Sequence, residues 1–322
     1  MTETTKSAQR SILIVHGGDF KPPEDVYLDE ASTALREGLQ RDFPDHVEPF
    51  KSVGIELAYY GDIGNEYLRS KGRQYDEQLD IGDRRNALEG LKKIPQRKKF
   101  GLQQYDKLRG KSAVPEAIAD VASPLFGLLG LTTMLVSMVA KDFALYLSGN
   151  TEFTQRVRER VRSKLMELLR RGDKVMLISH GTGCAVAYDV LWQLSHGESY
   201  RDEFSASKIE VFVTLGSPIS DDMVRRRLLG SKRKSTERFP TNIITWENVS
   251  AEDDYFCHDK TVANDLKAMM REHVISSIND YRVYNHALRY GKSNPHCSLG
   301  YFIHPRVAKI VVDWLEAPDD AI

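Results

Sequence analysis

Residues 174–195, KVMLISHGTGCAVAYDVLWQLS, decide the fold. The apolar run Lys174–Ser179 predicts a buried strand. It breaks at Gly181-Thr182-Gly183 and gives way to a helix over Gly183–Ser195, opened by the small residues Gly183, Cys184, Ala185 and Ala187. A strand, a tight glycine turn and a helix are the repeating unit of an α/β protein. The pattern recurs outward in both directions. Ser11–Val15 (SILIV) reads as a strand that runs into His16-Gly17-Gly18. Glu24–Asp42 reads as a helix with Val26, Leu28, Ala31, Leu35 and Leu39 on one stripe, and Ile55–Tyr60 as a second strand.

Downstream, an amphipathic helix is predicted over Phe153–Arg171, and strands over Glu210–Leu215 and Asn242–Val249. A helix is expected around Val262–Ile278, a short strand at Arg282–Tyr284 and a last helix over Pro305–Leu315. Alternating strands and helices predict an α/β chain with a mostly parallel, doubly wound sheet. Residues 65–150 break the rhythm and read as a helical or lid-like insertion within a single domain spanning 1–322. The insertion is highly charged at first, with the basic run KKIPQRKK at 92–99, and then apolar.

Composition narrows the function classes. At 41% hydrophobic and 28% charged residues, the chain is an ordinary globular one, and a net charge of -1 provides no global field for nucleic acid. Cys184, Cys257 and Cys297 are too few and too scattered for a disulfide framework or a zinc site. No metal or cofactor is implied. The polar start MTETTKSAQR has no secretory character, which makes the cytoplasm the expected compartment. Pro124–Ala140 holds 17 residues without a charge, interrupted by Gly127, Gly130, Thr132, Thr133 and Ser137. That is near the lower edge of the roughly 17–25 residues of a membrane span, and the interruptions weigh against one. Its two readings are a core helix and an apolar flap over a binding site, the latter offering peripheral membrane contact. The basic run 225–238, RRRLLGSKRKSTER, reads as a solvated loop.

Sites on a doubly wound sheet form at the carboxyl ends of strands. Those ends are His16–Asp19, Ser179–Gly183, Gly216–Pro218, Ser250–Asp254 and the region of His296 and His304. The second has the strand–turn–helix architecture of a nucleophile elbow, G-x-S-x-G, but its sequence is S-H-G-T-G. Gly181 stands where the serine would be. Read instead as a dinucleotide turn, Gly181-Thr182-Gly183 is followed by Val186 where a small residue is needed.

The stretch LISHGTGCAVAYDVLWQL (177–194) resembles the elbow and following helix of α/β-hydrolases of the bacterial serine esterase and lipase type. The likeness continues through VTLGSP (213–218), TWENVSAEDDYF (245–256) and HCSLGYFIHPRVAKIVVDWL (296–315). It covers most of residues 11–62 and 150–316. The resemblance implies a triad in the chain order nucleophile, acid, histidine. Carried over by position, the nucleophile falls on Gly181, the acid on Asp254 with Asp253 as the alternative, and the histidine on His296 with His304 as the alternative. The oxyanion donors would be the N–H groups of Thr182 and Gly18. His16 and His180 read as structural histidines, and Cys184 as packing.

Glycine cannot form an acyl intermediate, so the covalent route is closed in this chain. Two functional expectations follow. One is a nucleophile-removed variant of an active carboxylic-ester hydrolase, acting on an ester or lipid-like small molecule. The other is a natural pseudo-hydrolase that binds a ligand or protein in the old pocket.

Overall fold

Six parallel strands line up in the computed structural model, which describes residues 9–95, 97–108, 141–149, 151–257 and 261–318. The strands are β1 (Arg10–Val15), β2 (Gly54–Ala58), β3 (Lys174–His180), β4 (Ile209–Leu215), β5 (Ile243–Ala251) and β6 (Ser277–Val283). Their order across the sheet is β2-β1-β3-β4-β5-β6. Ile14 lies opposite Leu57 on one side and Ile178 on the other, and β4 is buried along its whole length. A strand buried on both faces needs continuous apolar sequence, which VFVTL supplies.

The main helices are α1 (Glu24–Asp42), α2 (Gly61–Ser70), α3 (Glu77–Lys92), α4 (Lys141–Leu147), α5 (Glu152–Arg170), α6 (Gly183–His196), α7 (Ser298–Phe302) and α8 (Pro305–Glu316). Successive strand residues point to opposite faces, and the core divides accordingly. Leu13, Val15 and Leu177 pack with Val157, Val161 and Leu165 of α5 and with the small residues of α6. Ile12, Ile14, Met176 and Ile178 pack on the other face with Leu35 and Leu39 of α1 and Val307 and Val311 of α8. The sheet is therefore covered on both sides, as the alternating pattern predicts.

One expected element is different. The helix expected over Val262–Ile278 is two short helical turns, Val262–Asp265 and Lys267–Arg271, and β6 already starts at Ser277 rather than Arg282. His273, at φ +54°, turns the chain between them. Ile275 and Ile278, three residues apart, follow a helical spacing and not a strand's alternation, so periodicity favoured the longer helix. Asp280 on β6 completes the join: its carboxylate accepts the N–H groups of Val262 and Ala263, each at 3.0 Å.

Within 65–150, the described segments are helical: the rest of α2, α3, Leu102–Tyr105 and α4. The apolar stretch 124–140 lies outside the described residues. No described helix is long and apolar enough to cross a membrane.

The strand order places a switch point between β1 and β3. From β1 the chain moves outward to β2, then passes back across β1 to form β3 on its other side. Loops leaving the carboxyl ends of β1 and β3 diverge there and open a crevice.

Candidate active site

Three of the strand-end turns meet at this crevice. At the end of β3, Gly181 has φ +54°, in the left-handed region. Its N–H donates to the Leu215 carbonyl at 2.8 Å and its own carbonyl accepts the Cys184 N–H at 3.1 Å. The elbow is thus tied to β4 on one side and to the first turn of α6 on the other. A Cβ on Gly183 would lie 2.2 Å from the His16 carbonyl oxygen, so only glycine lets α6 start this close to β1. Cys184 is fully buried, and burial pushes its thiol up to about 11. It is protonated at neutral pH and no substitute nucleophile.

At the end of β5, a turn with Asp253 at φ +60° swings Asp254 back over the sheet. Asp254 is buried. Its two carboxylate oxygens lie 3.0 and 2.9 Å from His296 Nδ1. The Tyr301 hydroxyl donates to Oδ2 at 2.7 Å, and the Phe256 N–H donates to Oδ1 at 3.0 Å. Burial alone would raise the Asp254 carboxyl, but the neighbouring His296 and these hydrogen bonds outweigh it and hold the pKa below the usual range. A carboxylate only accepts, so Nδ1 of His296 carries a proton, and in the neutral ring Nε2 is the acceptor. That Nε2 faces the elbow: a Cβ on Gly181 would lie 2.9 Å from it. The Phe256 ring stacks on His296, with centroids 4.3 Å apart. Room for the pair comes from Gly216 at the end of β4, at φ +56°. Its missing Cβ would lie 2.7 Å from Asp254 Oδ2.

The third turn follows β1. His16 is buried, donates from Nδ1 to the Gly17 carbonyl at 2.7 Å and accepts the Tyr60 N–H on Nε2 at 3.0 Å. Burial, with a smaller contribution from Lys21, lowers its pKa to about 3. This is the neutral structural histidine expected from the sequence. The Gly18 N–H donates to the Thr182 hydroxyl at 2.6 Å, which joins the glycine turn to the elbow. Next to it, the Asp19 N–H donates to Asp142 Oδ2 at 2.8 Å. Asp142, on α4, is itself buried, and burial raises its carboxyl. Lys21 closes the turn by donating from Nζ to the Gly18 carbonyl, and burial draws it down to about 8.

The structure brings Gly181, Thr182, Gly18, Asp254 and His296 together and leaves the two alternatives aside. Asp253 is exposed on its turn. His304 caps α8, its Nδ1 accepting the Arg306 N–H at 3.0 Å. As the turn stands, the N–H of Gly18 is engaged by Thr182. The N–H of Thr182 sits at the start of α6, where the first amides of a helix lack intrahelical partners. Sequence reasoning missed Tyr301, Phe256 and Asp142, and gave Gly216 a place among the strand ends but no role. Gly216 carried a signal, a glycine directly after a predicted strand. Asp142 carried none, because its partner is 123 residues away. Among the described residues, no group of three or more His, Cys, Asp or Glu side chains is arranged to hold a metal ion. Compared with known proteins, the chain matches no protein-family model, no curated protein and no solved structure.

Proposed function

We propose that this chain is a serine-hydrolase scaffold of the α/β-hydrolase, carboxylic-ester type, inactive or nearly so because position 181 is glycine. The observation that carries the reading is the buried Asp254 paired with a partly exposed His296, whose Nε2 is aimed at a left-handed residue between a strand and a helix. The parallel sheet supports it too, because the turns after β3 and β5 and the chain beyond β6 all leave from the same end of the strands.

With a serine at 181, Oγ would attack an ester carbonyl while His296 Nε2 takes its proton. Asp254 would hold the ring and stabilise the imidazolium. Alcohol would leave with that proton, and water would release the acid by the same route. The Thr182 N–H, at the positive end of α6, would face the oxyanion. With glycine, only binding and whatever water His296 can activate remain, so turnover is slight.

The second reading, a ligand- or protein-binding pseudo-hydrolase, is favoured by the glycine turn. Two of its N–H groups are already engaged inside the protein, by Thr182 and Asp142. Replacing Gly181 with serine separates the two. Labelling by a fluorophosphonate and turnover of p-nitrophenyl esters support the first, and a folded but inert variant supports the second.

A further inference from the structure

The loop that presents His296 has three consecutive carbonyls, each held by a side chain outside the triad. Asn285, just beyond β6, donates from Nδ2 to the Pro295 carbonyl at 2.9 Å and to the Cys297 carbonyl at 2.8 Å. Its Oδ1 accepts the Ala287 N–H at 3.0 Å. Two carbonyls and one N–H fix which end of the amide is which. Between them, the His296 carbonyl accepts Nε2–H of His180 at 2.9 Å.

Both holders are buried, Asn285 completely. Burial, with the neighbouring His296 adding to it, keeps His180 well below its ordinary pKa. It stays neutral, with the proton on Nε2. The packing is built around the amide: a Cβ on Gly300 of α7 would come within 1.7 Å of Asn285 Oδ1. His180 is also the residue before Gly181, so the elbow and the histidine loop are tied by one hydrogen bond.

We propose that Asn285 and His180 are positioning residues that clamp the His296 loop and set the direction of its Nε2 toward position 181. The clamp deepens the hydrolase reading, which makes His296 the base, but it can be measured without any hydrolysis. The probe is the hydrogen-bonded Nδ1–H proton of His296, observed by NMR in the histidine-labelled chain with Gly181 in place. It is assigned by its loss in His296→Ala.

In Asn285→Asp a carboxylate oxygen would face two carbonyl oxygens. Exchange of that proton with water should accelerate roughly tenfold or more, the scale of two lost hydrogen bonds. His180→Leu should accelerate it too, whereas His180→Gln, which keeps an N–H donor, should preserve it. Val311→Ala, a core change in α8 that removes no hydrogen bond to the loop, controls for lost stability and should leave the exchange unchanged.

Unchanged exchange in a folded Asn285→Asp overturns the proposal. So does equal acceleration in Val311→Ala, or the absence of the proton in the parent chain. If Asn285→Asp does not fold, the two His180 variants decide by the same comparison. In a Gly181→Ser background the clamp should act on kcat with KM little changed. An inert Gly181→Ser chain would count against the hydrolase reading while leaving the proton measurement to judge the clamp.

Discussion

Placing serine at position 181 should, on the proposed hydrolase reading, make the site reactive at a measurable cost in stability. Gly181 has φ +54°, where an L residue is disfavoured by roughly 1–2 kcal/mol. The new Cβ would begin 2.9 Å from His296 Nε2, closer than nonbonded atoms tolerate, so the ring must withdraw. It is the end of a side chain rather than backbone, and it retreats into hydrogen-bonding range of the new Oγ, about 2.6–3.2 Å. The backbone strain is therefore the main loss. At about 2–4 °C per kcal/mol, the melting temperature should fall by several degrees. Against this, loss of triad members lowers kcat by on the order of 10^4–10^6, equivalent to about 5–8 kcal/mol of barrier. Gly181→Ser should gain ester turnover on that scale. Both chains would be assayed with short- and long-chain p-nitrophenyl esters and a fluorophosphonate, with His296→Ala in the serine background as control. A folded serine variant that neither labels nor turns over would refute the reasoning. Labelling that survives His296→Ala would refute the assignment of the base.

Gly216→Ala, in the serine background, should abolish labelling while the fold is retained by circular dichroism, because its Cβ falls 2.7 Å from Asp254 Oδ2. Tyr301→Phe removes the hydroxyl that donates to Asp254 and accepts the Ala251 N–H at 2.9 Å. The stranded amide should cost about 1–3 kcal/mol in denaturant unfolding, and Asp254 should titrate higher by carbon NMR. His16 gives a pH prediction. Its pKa is about 3 in the folded chain against an ordinary 6.5, so the unfolded chain binds more protons between those values. Stability is then complete above about pH 6.5 and falls on acidification toward 3, by about 2 kcal/mol at pH 5. Unfolding free energies of the parent and His16→Gln measured at pH 7 and 5 should show the slope reduced in the variant; an equal slope would exclude His16 as its source.

The residues legible in the sequence are those whose chemistry follows from local pattern. Continuous apolar runs such as SILIV and KVMLIS mark strands buried on both faces, and the glycines after them mark the turns. The strand ends narrow the site to a few turns, but Asp254 and His296 are reached only through the resemblance to α/β-hydrolases, which leaves Asp253 and His304 open as alternatives. What stayed hidden depends on distance along the chain or on short elements. α7 is five residues, too short for a helical period, so Tyr301 had no visible place. Asp142 reaches the glycine turn from within the insertion, and Ile275 and Ile278 are spaced like a helix although one precedes β6 and the other lies in it.

The left-handed glycine at 181 also has a genetic meaning. The backbone there already holds the shape a nucleophile would need, and the base lies within reach. Some glycine codons stand a single base from a serine codon. If the pocket is a hydrolase scaffold, its chemistry is separated from its present state by one point mutation, with no intermediate that must refold. On that reading the chain would be dormant rather than dead, and selection against serine at this position would have to act continuously to keep it silent.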